Sequence, residues 1–110
     1  MCRAVYAVIV AADVESAARL RRAAGLEVQV MDVVEGTGGL PAGPFDVIIL
    51  DGAAAGAREA VPAFRAAAPD AAIVWVGADP PDDVHQAVPD DGLNDALPGA
   101  IVKALLARGR

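Results

Sequence analysis

Residues 45–56 read FDVIILDGAAAG. Val47, Ile48, Ile49 and Leu50 form an unbroken apolar run, and Asp51 follows at once. Side chains alternate between the two faces of a sheet, so a strand apolar at every position is covered on both. Glycine and alanine fill 52–56, where an active site would usually set polar groups. The segment predicts a central buried strand that delivers one acid to its end.

Working outward, apolar runs of strand length and composition fall at 5–11, 27–33 and 72–76, with a weaker fifth at 93–97. Helical patterns lie between them. Asp13 can cap a helix over 14–24, and Gly25 is a natural stop beyond it. On that helix Val14, Ala17, Leu20 and Ala24 share the face expected to meet the core, opposite Glu15, Arg19 and Arg22. A second helix is predicted over 57–68, with Pro62 causing a late start or a kink. A short helix is predicted over 82–87, and a last one over 98–107 with Pro98 at its first position.

One connection has no helix to offer. Residues 34–45, VEGTGGLPAGPF, hold four glycines and two prolines. Each glycine costs about 1 kcal/mol in a helix interior and each proline about 3 kcal/mol. A loop is expected there, and it lacks the Gly-Lys-Ser/Thr ending of a phosphate loop. The alternation as a whole predicts an α/β doubly wound domain, with ligands expected beyond the carboxyl ends of its strands.

Composition bounds the function. The chain has 110 residues, enough for one core. Its net charge of −6 disfavours binding to nucleic acid or an anionic membrane. Asp79, Asp82, Asp83, Asp90, Asp91 and Asp95 fall in one stretch free of Lys and Arg. The lone Cys2 cannot form an internal disulfide, and no Cys/His spacing suggests a metal cage. The opening MCRAVYAVIVAA has the outline of a signal peptide, but its apolar run is short and reads better as a first strand. No stretch approaches the ~20 apolar residues of a membrane span, so a cytoplasmic location is expected.

In order and spacing, VIVAADVESAARLRRAAGLEVQV, FDVIILDG, AAAPDAAIVWVGA and DDGLNDAL resemble a response-regulator receiver domain over nearly the whole chain. The resemblance implies a flavodoxin-like, five-stranded parallel sheet in the order 2-1-3-4-5, here with the second helix reduced or replaced by loop. It also implies a phosphoacceptor aspartate at the end of the third strand, the place of Asp51. Two acids that hold a divalent cation are replaced by Ala11 and Ala12. The hydroxyl residue of the fourth strand becomes Gly77, the lysine of the fifth Gly99, and the aromatic switch residue Ala96. Lys103, four residues past Gly99, is a poor substitute for the lysine.

Phosphoryl transfer rests on positioning and charge neutralisation, and five replacements remove nearly all of both. The resulting expectation is a degenerate pseudo-receiver that binds a protein partner or forms a homodimer, with no cofactor. Two alternatives stay open: a receiver phosphorylated on Asp51, and a small-molecule sensor using the emptied cleft. Asp13, Asp51 and Asp79 are weak candidates for a cation site. His85 is expected on the surface of the short fourth helix. The binding surface is expected on the fourth helix, fifth strand and fifth helix, with Val102 and Leu106 outside the face that one sheet can cover and Asp91 and Asp95 at its rim.

Overall fold

The computed structural model describes residues 6–24, 30–35, 46–54, 56–89, 91 and 93–107. Among these the chain runs β1 (Tyr6–Ala11), α1 (Val14–Ala24), β2 (Val30–Glu35), β3 (Val47–Asp51), α2 (Ala57–Ala67), β4 (Ala72–Val76), β5 (Gln86–Val88) and α3 (Leu93–Ala107). The strands form one parallel sheet in the order β2-β1-β3-β4-β5.

The unbroken apolar strands explain the layering. On one face Ala7, Ile9, Val47, Ile49, Val74 and Val76 pack under α1 and α3. On the other, Val8, Val10, Ile48, Leu50, Ile73 and Trp75 pack under Val61 and Phe64 of α2. All five residues of β3 and all five of β4 are buried. The central strands therefore contribute both of their faces to the core.

The ends of the helices follow from local chemistry. Asp13 caps α1: its Oδ1 accepts from the Ser16 N–H at 2.8 Å. That bond, first among the causes, holds the Asp13 carboxyl below its ordinary range. Val14 departs from expectation, since it is 66% exposed while Ala17, Leu20, Ala23 and Ala24 carry the buried face. It sits on the first turn of the helix. α2 shows no late start; it begins at Ala57, after Gly56 in the left-handed conformation, and continues past Pro62.

The carboxyl-terminal third differs most from the sequence reading. The fifth strand is Gln86–Val88, not 93–97. Residues 93–97 instead open α3, which starts ahead of Pro98 and contains it. Leu97, Ala100, Ile101 and Ala104 recur at helical spacing and are all buried, which decides the element in favour of a helix. The fourth helix expected over 82–87 is absent: 77–85 form turns and bends, and 86–88 are strand. Pro80 and Pro81 stand at the head of this segment and remove two backbone donors. β2 reaches Glu35, so Val34 and Glu35 belong to a strand rather than the expected loop; residues 36–45, 27–29 and Cys2 lie outside the described residues.

Candidate functional site

The carboxyl ends of the strands bring β1, β3 and β4 together around one acid. Val10 pairs with Leu50 and Asp51 pairs with Val76. The next position of β1, Ala11, therefore stands beside Asp51. Parity puts the Asp51 side chain on the α1/α3 face, between a methyl group and an isopropyl group. Asp51 is 2% exposed and Ala11 is wholly buried.

Among the described residues the carboxylate has one donor. Asp51 Oδ1 accepts from the Ala53 N–H at 3.0 Å, while Oδ2 is buried with no hydrogen-bond partner. Burying a carboxylate oxygen without a partner carries a desolvation cost. Among the described residues no three of His, Cys, Asp and Glu gather as a metal-holding group. Asp13, Asp51 and Asp79 accordingly do not converge: Asp13 is engaged as a helix cap, and Asp79 is exposed in a turn with a φ of 53°.

Tight backbone joins close the strand ends. The Gly52 N–H donates to the Val76 carbonyl at 2.7 Å, and the Gly77 N–H donates to the Val88 carbonyl at 2.9 Å. The Trp75 ring lies across Gly52, where a Cβ would come within 2.6 Å of the indole and 2.8 Å of the Val76 oxygen. Gly77 has a φ of 132°, a region that side-chain-bearing residues rarely adopt. A serine or threonine there would be strained. Ala12 is exposed at the rim.

Where a fourth helix was expected, side chains hold the loop. Arg58 of α2 lies over the Trp75 ring at 5.8 Å and donates to the Asp79 carbonyl. Arg65, two turns on, donates to the Asp83 carbonyl, and Trp75 Nε1 donates to the Ala78 carbonyl at 3.2 Å. His85 is not a solvated helix residue. It is half-buried at the head of β5, and its Nδ1 accepts from the Ile73 N–H at 2.9 Å. Burial, and secondarily the charge of Arg65, lowers its pKa from the ordinary 6.5. The sequence reading missed this Arg–Trp–His set; the Pro80–Pro81 pair was the available signal against a helix.

Two pocket assignments need correction. Ala96 and Gly99 lie on α3, not on a strand. The fifth strand ends on Val88, which takes the place the resemblance gives to the lysine, and none of its three residues is aromatic. An open groove of about 350 Å³ runs instead between β5 and α3, lined by Gln86, Val88, Pro89, Asp95, Gly99 and Lys103 among others. Val102 and Leu106 of α3 are 40% and 64% exposed, and Asp91 and Asp95 are exposed as well.

No family model matches the chain, and no curated protein matches it. Solved structures do. The signal receiver domain of an HD domain-containing protein from Pseudomonas fluorescens aligns with a TM-score of 0.81 at 11% identity, over 97% of this chain and 98% of that one. A pilus assembly-related protein from Burkholderia pseudomallei aligns with a TM-score of 0.72 at 21% identity, over 93% and 90%. The response regulator TrrA from Thermotoga maritima, solved in complex with Mg²⁺-BeF, aligns with a TM-score of 0.73 at 19% identity, over 91% and 98%. Among the described residues no helix is long and apolar enough to cross a membrane. The chain has the fold of response-regulator receiver domains, built around an Asp51 that stands between Ala11 and Val76.

Proposed function

We propose that this is a cytoplasmic pseudo-receiver, not phosphorylated, that works by binding a protein rather than by catalysis. One observation carries the reading. Asp51 sits at the phosphoacceptor place of the receiver fold, yet it is 2% exposed and flanked by Ala11 and Val76. A phosphoryl group on it would find no cation-holding acid on β1, an apolar Val88 in place of the lysine, and a glycine in place of the hydroxyl at 77. Charge neutralisation is the larger part of this chemistry, and its groups are the ones replaced. The burial of Asp51 and Ala11 also argues against a ligand cleft at this end of the sheet.

The binding surface proposed is the face of β5 and α3, beside which the described residues form no fourth helix. Val102 and Leu106 supply the apolar part and Asp91 and Asp95 the rim. The test is incubation with acetyl phosphate and Mg²⁺, read by intact mass, and with beryllofluoride and Mg²⁺, read by amide spectra. The expected result is no mass increase and unchanged spectra. Addition of one phosphoryl group on Asp51 would overturn the reading.

A further inference from the structure

Residues 77–85, between β4 and β5, are tied down largely by side chains. Arg58 donates to the Asp79 carbonyl, Arg65 to the Asp83 carbonyl and Trp75 Nε1 to the Ala78 carbonyl. None of these bonds responds to a proton near neutral pH, because amides and indoles do not titrate there and guanidinium groups keep their charge. The tie at the end of the segment is different. In a parallel ladder one residue meets the neighbouring strand at two positions, two residues apart. The Ile73 carbonyl takes the His85 N–H, so the Ile73 N–H is due to meet the Asp83 carbonyl. That carbonyl is engaged by Arg65, and the His85 ring stands in for it, Nδ1 accepting from the Ile73 N–H at 2.9 Å. The edge of the sheet therefore closes on an atom that can be protonated.

We propose that His85 is a proton-operated latch: acid releases the loop 77–85 and the head of β5 from β4 while the rest of the sheet stays folded. A protonated imidazole carries N–H groups at both nitrogens and has no acceptor left. Donor would then face donor at the Ile73 N–H. Ile73 is wholly buried, so water cannot take over the bond while the edge stays shut. By register the ring shares the α2 side of the sheet with Ile73. α2 presents Arg65 to it, β4 presents no titratable side chain, and Asp82 and Asp83 on the loop itself are exposed. Asp95 and Lys103 of α3 line the groove on the other side of β5. Burial, and then the Arg65 charge, oppose the proton in the closed state. In the open state the ring is in water, so the proton favours opening. Each pH unit below the ordinary 6.5 multiplies the open population by up to about ten, until the closed ring also takes up the proton. The edge is the part to yield, since β5 joins β4 at three register positions and β3 joins it at five.

The latch is a property of the sheet edge and stands whether or not Asp51 is phosphorylated. Amide hydrogen exchange of the full chain tests it, read by NMR at pH 7.5 and 5.5, each rate divided by that of an unstructured amide at the same pH. The protection of the Ile73 amide is expected to fall about five- to tenfold between the two. It is also expected to lie about tenfold or more below that of Ile49 in the central strand, and to be indifferent to dilute urea, because a local opening exposes little surface. In His85→Asn, whose side-chain oxygen accepts without titrating, Ile73 is expected to be protected equally at both pH values. The ring nitrogen shifts at pH 7.5 should place the proton on Nε2 and leave Nδ1 bare. Ile73 protection that ignores pH, an equal fall in His85→Asn, exchange of Ile73 only at the rate of Ile49, or a proton on Nδ1 at pH 7.5 would each overturn the latch.

Discussion

Ile73 and His85 exchange two hydrogen bonds across the β4–β5 edge: the Ile73 N–H donates to His85 Nδ1, and the His85 N–H donates to the Ile73 carbonyl, each at 2.9 Å. The imidazole stands where a further strand residue would have offered its carbonyl. β5 has only three residues, so a side chain completes the ladder at its head. Nδ1 can accept only when it carries no proton. A neutral His85 is therefore part of how the edge strand is held.

Stability should depend on pH through this residue. Burial and Arg65 lower the His85 pKa in the folded chain, whereas the unfolded chain titrates near 6.5. Above that value both states are neutral and the full contribution is present. As pH falls below it, the unfolded state takes up the proton first, and stability is lost until the folded imidazole also protonates. The urea midpoint is expected to drop between pH 7.5 and 5.5. His85→Asn, whose amide oxygen accepts without titrating, is expected to remove that drop. An equal drop in both proteins would assign it to other groups.

Gly52→Ala should destabilise the domain by about 2 kcal/mol. The added methyl would come within 2.6 Å of the Trp75 ring and 2.8 Å of the Val76 carbonyl, and the backbone contact cannot yield by a rotamer change. Trp75 is the only tryptophan, so fluorescence reports the displacement directly. The expected signs are a shifted emission maximum and a lower urea midpoint. A variant with unchanged emission and midpoint would show that the ring does not sit where it is placed.

The parts of the fold that sequence made visible are those where burial leaves a dense apolar signal. β1, β3 and β4 are buried along their lengths, apart from the half-buried Tyr6, and each reads as a continuous apolar run. β5 sends no such signal, because only Val88 of its three residues is buried and Ala87 faces outward. Pro98 suits a helix start, yet it lies inside α3, while Pro80 and Pro81 should have argued against the fourth helix. Asp51, Ala11 and Gly77 could be placed because they are fixed by the ends of strong strands. Gly99 and Ala96 were misplaced along with the weak strand to which they were assigned. The role of His85 depends on a contact with Ile73, twelve residues away in sequence, which no local pattern encodes.

Leu106→Glu should leave the fold intact and abolish association. Leu106 is 64% exposed, and surface changes away from packed features usually stay within about 0.5 kcal/mol. Thermal melts of the variant should match the parent, while light scattering should show a monomer at concentrations where the parent associates. Ile101→Glu is the contrasting variant, since Ile101 is wholly buried and a charge there should unfold the domain. If Leu106→Glu instead unfolds, or associates as before, the contact surface does not include the outer side of α3.

Asp51→Asn should leave stability unchanged or raise it by up to about 2 kcal/mol. Among the described residues the carboxylate accepts one hydrogen bond, from the Ala53 N–H, and an amide oxygen in the same place can accept that bond equally well. What the substitution removes is a buried charge whose second oxygen has no partner, set between Ala11 and Val76. Its cost is one amide group left with donors to satisfy, which is smaller than the cost of an unpaired carboxylate in the same surroundings. In a working phosphoacceptor site the same carboxylate would be held by a cation and a lysine, and neutralising it would remove those attractions. A fall in the urea midpoint equivalent to more than about 1.5 kcal/mol would mean that Asp51 is tied into a network of donors, and the apolar enclosure argued for it would be wrong.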